Sequence, residues 1–176
     1  MKKSSQKIAR SALPTSRCRC TCSSDVCEFW RERVAGLSGF NIKIQGLWAI
    51  TLDGERFFTG CHSVKCMSFD AAQRFADELF QSEFLRGVPE FILVHHRPGV
   101  ALKASVADKE RISSVILAGR ARKTELLDCL LLSEPHAAHP SGCLPMRKIR
   151  GFSAQNPFVK PSKKARQTSA ELEAVK

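Results

Sequence analysis

Polar and apolar residues alternate through Asn41-Ile42-Lys43-Ile44-Gln45, as they do in a half-buried strand. Trp48, Ile50 and Leu52 alternate with Ala49 and Thr51 and predict a second strand. Asp53-Gly54 follows at once. These residue types accept the positive φ that a tight hairpin turn demands, so Glu55 to Gly60 is expected as the return strand. The period then lengthens. Phe69, Ala72, Phe75, Ala76, Leu79 and Phe80 recur at helical spacing, with Asp70, Arg74, Asp77 and Glu78 on the outer face. Ser68 or Asp70 can cap this helix, and Gly87 and Pro89 end it.

Residues 88–135 read as a second packing unit. Phe91 to His96 predicts a strand, Pro98-Gly99 a turn and Val100 to Val106 a second strand. Asp108 is placed to cap a final helix, whose apolar stripe is Ile112, Val115, Ile116, Leu126, Leu127, Leu130 and Leu131. Gly119 interrupts that stripe and divides it into two helices in an alternative reading. Upstream, residues 28–35 suggest a short helical turn, and Gly36 and Gly39 punctuate the chain after it. The fold class expected is α+β: a three-stranded antiparallel sheet on one helix, then a hairpin-plus-helix unit.

Charge changes the picture at the ends. The net charge is +11. Residues 1–27 hold six basic and one acidic residue, residues 136–176 eight and two, and residues 28–135 fourteen of each. The whole excess therefore lies outside a neutral centre. Residues 1–27 are expected as a disordered basic arm, and residues 136–176, with Pro140, Pro145, Pro157 and Pro161, as a disordered basic tail. Such segments suit a polyanion: nucleic acid, an acidic membrane surface or an import receptor. Solubilising tails that touch nothing are the alternative, and the acid-poor, Ser- and Arg-bearing start also matches an organelle transit peptide. No apolar run approaches the ~20 residues of a membrane span, so a transmembrane chain is not expected; of the polyanions, nucleic acid is the partner expected, not a membrane.

Eight cysteines raise the question of metal. Cys18, Cys20, Cys22 and Cys27 supply four soft ligands, although structural zinc sites usually repeat a gap of two to four residues. Cys129, His136, His139 and Cys143 form a second candidate set. The competing expectation is free thiols in a reducing compartment and no cofactor. His95 and His96 are adjacent on a predicted strand and point to opposite faces. Cys61-His62 are likewise turned apart, which leaves no thiol catalyst. No phosphate-binding glycine loop, zinc-protease helix motif or nucleophile elbow is present, and an enzyme is not expected.

Residues 35–83 resemble the Apetala-two-type DNA-binding domain in its apicomplexan transcription-factor form. The resemblance rests on order and spacing: Trp48-Ala49-Ile50 on the middle strand, Asp53-Gly54-Glu55-Arg56 in the turn, then Ser63-Val64-Lys65 leading to Ser68-Phe69-Asp70-Ala71-Ala72. It implies a βββα DNA-binding domain over 35–85 whose sheet enters the major groove, with Trp48 as core beneath the helix. By the period of two, Asn41, Lys43, Gln45, Thr51 and Arg56 would face DNA, with Lys65 beside them. Arg and Lys can donate to guanine, and Asn or Gln can pair with adenine. An ordinary solvated sheet face is the competing account of the same residues. The expectation is a sequence-specific double-stranded DNA binder that regulates transcription in the nucleus, as a monomer or homodimer, with other nuclear proteins as further partners. Lys160-Pro161-Ser162-Lys163-Lys164-Ala165-Arg166 fits a nuclear import signal. A non-enzymatic RNA- or protein-binding adaptor with non-specific basic arms is the alternative.

Overall fold

The computed structural model describes residues 18–36, 40–65, 71–134 and 141–148. The architecture is α+β, as expected. Its sheet is larger than expected and mixed: β1 (Gly46–Leu52), β2 (Phe58–Ser63), β3 (Glu90–His96), β4 (Glu125–Leu132) and β5 (Cys143–Pro145), in the order β2-β1-β3-β4-β5. Pairing is antiparallel except between β3 and β4, which run parallel and are joined by a helix. Helices α1 (Ser23–Trp30), α2 (Ala72–Phe80) and α3 (Val106–Arg122) cover the sheet.

Both faces are closed. On one, Val26, Phe29 and Trp30 of α1 cover Ile50, Leu52, Ile92, Val94 and Leu130. On the other, α2 and α3 bring Phe75, Leu79, Ile112 and Val115 onto Leu47, Ala49, Phe91, Leu93 and Leu131. One strand thus feeds two cores through its period of two.

Several elements differ from the sequence reading. Residues 41–45 form no strand. The Asn41 side-chain oxygen accepts from the Lys43 N–H, and Ile44 N–H donates to the Asn41 carbonyl, which closes a turn instead. Strand β1 is already paired on both sides, so no slot remains for another neighbour. Ile42 and Ile44 are exposed in consequence. Trp48, Ile50 and Leu52 pack under α1, not under the helix that follows the hairpin; that helix covers the opposite face. Helix α1 begins inside the segment read as an arm, and Cys20, Val26 and Cys27 are buried.

Residues 100–106 form no strand either. The partner of β3 is β4, whose Leu126, Leu127, Leu130 and Leu131 had suggested a helical stripe. A run apolar on both sides suits an interior strand equally well. Helix α3 is capped by Ser105, with Asp108 at the third helical position rather than at the cap. The capping candidates Ser68 and Asp70 lie outside the described residues.

Gly119 has a packing reason. A Cβ there would lie 2.4 Å from the Thr124 carbonyl oxygen, at the point where α3 turns into β4. Gly119→Ala would ordinarily favour a helix. Here it is expected to destabilise by about 1–3 kcal/mol, read as a lowered urea midpoint; an unchanged or raised midpoint would show that the α3–β4 turn can yield.

Candidate functional site

The predicted DNA-reading residues are dispersed. Asn41, Lys43 and Gln45 share the exposed loop before β1. Thr51 is 2% exposed and accepts from the Thr59 hydroxyl at 2.9 Å, so it cannot face a groove. Arg56 stands at positive φ in the hairpin turn and pairs with Glu90 at 3.5 Å. Burial raises the Glu90 carboxyl against the pull of that arginine. Lys65 is exposed beyond β2. Helices cover both faces of the central strands, and among the described residues of the sheet the exposed positions fall mainly on the edge strand β2, at Thr59 and Ser63.

The two candidate metal sets are taken apart. Cys129 packs on the α2/α3 face and Cys143 against the α1 face, so the sheet separates them. His136 and His139 lie outside the described residues. Cys18 is exposed beside Phe57 and Phe58, Cys22 bonds Asp25, and Cys27 meets Cys143. Among the described residues no three His, Cys, Asp or Glu side chains gather around one point.

Sequence reading missed the most concentrated polar constellation. It lies where β3 ends and α3 begins, the end of a parallel strand pair at which α/β proteins often place ligands. Asp108 is its centre. One carboxylate oxygen accepts from both Arg97 Nη atoms at 3.2 Å, from the Ser105 hydroxyl at 2.7 Å and from the Ser105 N–H at 2.8 Å. The other accepts from Arg111 at 2.6 Å. Burial alone would raise this carboxyl, but the Ser105 and Arg111 bonds and the Arg97 charge outweigh it and hold the group below its ordinary range. The pattern Ser105-x-x-Asp108 ahead of apolar Ile112 was the available signal. Arg97, by contrast, looked like part of a turn.

His95 stands beside this cluster. Burial, aided by the nearby Arg97 charge, pushes its imidazole down to about 4. The neutral ring lies 2.8 Å from the Gln45 amide nitrogen, which ties the base-reading candidate Gln45 to the domain interior. His96 faces the other way, among Trp30, Phe40 and Trp48, with ring centroids 5.3–6.5 Å away.

The Asp108 carboxylate is saturated by two guanidiniums and a serine, which makes the cluster a latch between the end of β3 and the start of α3. A hollow of about 300 Å³ near the end of α2 is lined by Phe80, Arg86, Arg122 and Thr124. Arg122 is occupied there: it lies over the Phe80 ring and donates to the Ala118 carbonyl. No described helix is long and apolar enough to cross a membrane. Compared with known proteins, the sequence matches no family model and no curated relative.

Proposed function

We propose that this chain is a non-enzymatic nucleic-acid-binding protein, with double-stranded DNA as its partner. In this reading a rigid, neutral α+β domain carries basic segments at both ends, and those segments hold the phosphate backbone. The charge partition carries the proposal: net +5 over 1–27, net +6 over 136–176 and zero between. Phosphate neutralisation with counterion release is the affinity such segments provide. Thr51 is buried and Arg56 is paired with Glu90, so this reading shifts base contacts to the loop before β1. Asn41 and Lys43, exposed on the loop before β1, are the side chains suited to it. Transcription regulation in the nucleus is the role that goes with this partner, and Lys160 to Arg166 would serve for import.

Selection of the full chain on random-sequence duplex DNA at near-physiological salt tests the reading. An enriched motif that Asn41→Ala and Lys43→Ala abolish is expected. Removing residues 1–17, which carry five basic and no acidic residues, should lower the slope of log affinity against log salt by up to about 4. A slope unchanged by the truncation would remove this segment from the interface. Binding to single-stranded RNA in preference to duplex DNA would favour the adaptor alternative.

A further inference from the structure

The cysteines of the α1 face have been assigned no role so far, and two of them are brought together from distant parts of the chain. Cys27 on α1 and Cys143 at the start of β5 are 116 residues apart in sequence, yet their sulfurs lie 2.7 Å from each other. A second tie fixes the same seam: Arg31 donates to the Ser141 carbonyl. The partners are unequal. Cys27 is 5% exposed, while Cys143 is half-buried. The Cys143 thiol bonded to Cys27, with help from the Arg31 charge, lowers the Cys27 thiol despite burial, and raises Cys143 in return. Two sulfurs within reach of each other, one to be oxidised and one to resolve it, are what thiol oxidation to a disulfide needs. Burial pushes the Cys20 and Cys61 thiols up to about 12, and Cys129 is buried on the opposite face of the sheet.

We propose that Cys27 and Cys143 are a reversible redox pair, oxidised by hydrogen peroxide to a disulfide that staples α1 to the edge strand β5. The thiolate sulfur attacks one peroxide oxygen, the O–O bond breaks, and with one proton taken up the leaving oxygen departs as water. The sulfenic acid so formed is attacked by the second sulfur. An S–S bond forms, the S–O bond breaks, and hydroxide leaves with the second thiol's proton as another water. Two thiols are oxidised and one peroxide is reduced to two waters. A dithiol reverses the bond by exchange. The staple would close a long loop and so restrict the unfolded chain.

The test uses the full chain and hydrogen peroxide near stoichiometry, followed by alkylation in denaturant and peptide mapping. A Cys27–Cys143 linkage is expected as the main product, lost on dithiothreitol treatment. The thermal midpoint should rise by roughly 10 °C on oxidation. Cys143→Ser should abolish both the linkage and the rise. Full alkylation of Cys27 and Cys143 after oxidation, linkage mainly through other cysteines, or a rise that persists in Cys143→Ser would each overturn the proposal. Should the variant not fold, mapping of the unsubstituted chain decides alone.

Discussion

Asp108→Ala is expected to lower stability by about 3–5 kcal/mol, the largest loss for any single polar side chain in the domain. The substitution leaves Arg111, 9% exposed, and the half-buried Arg97 without the carboxylate that both donate to. It also orphans the Ser105 N–H and hydroxyl at the start of α3. The cost is mainly that of leaving two partly buried guanidiniums without their carboxylate, not the net worth of the ion pairs. Replacing Asp108 and Arg111 together by Leu and Met should therefore recover much of it. Urea titration at neutral pH gives both numbers. A loss below about 1 kcal/mol for Asp108→Ala would mean that water relieves the arginines and that no latch exists.

The second large effect is hidden until one residue is changed. Asp128, 2% exposed on the α1 face, is raised from 3.8 to about 6 by burial, against the Arg147 N–H and guanidinium, the Cys129 N–H and the Ser23 hydroxyl. His95 is depressed from 6.5 to about 4. Between about pH 4 and 6 the folded state holds an extra proton on Asp128, so stability falls as pH rises through that window. From 6.5 down to about 4 the unfolded state holds an extra proton on His95, so stability falls as pH drops. The two slopes oppose and largely cancel. Asp128→Asn removes one of them. Relative to the unsubstituted chain, the variant should lose on the order of 2–3 kcal/mol between pH 6.5 and pH 4. Urea midpoints at several pH values measure the difference. A difference independent of pH would give Asp128 an ordinary carboxyl.

The two halves of the chain were not equally legible. The β1–β2 hairpin followed from alternation, but its turn did not: the positive φ falls on Arg56 and not on Asp53-Gly54, the Asp53 carboxylate accepts from the Glu55 and Phe57 N–H groups, and the return strand is Phe58–Ser63 in place of Glu55 to Gly60. The buried face of α2 at Phe75, Ala76 and Leu79 followed from helical spacing. Strand β3 was also read within one residue of its bounds. Strand β4 was not legible, because Leu126 to Leu132 is buried on both sides and carries no period of its own. The helical turn expected over 28–35 is present, as the end of α1 and a π-helical turn at Arg31–Ala35; the start of α1 at Ser23 was obscured because it lies beside a basic segment. The polar latch needed tertiary information. Arg97 and Asp108 are eleven residues apart and meet only because β3 is followed by a crossover helix and not by a hairpin. The alternation over 41–45 misled because a period of two promises a strand only where a neighbouring strand has a free edge.

The placement of α1 also bears on the order in which the chain matures during synthesis. Its apolar side is satisfied by Phe58, Ile92, Leu130 and finally Cys143, all of which leave the ribosome later than the helix itself. An eight-residue helix does not persist unaided in water. Among the described elements, the first to be made is thus the last to find its full complement of neighbours. Until β5 has emerged, Phe29 and Trp30 have an incomplete docking site, and the nascent chain presents an aromatic surface to chaperones over most of its translation.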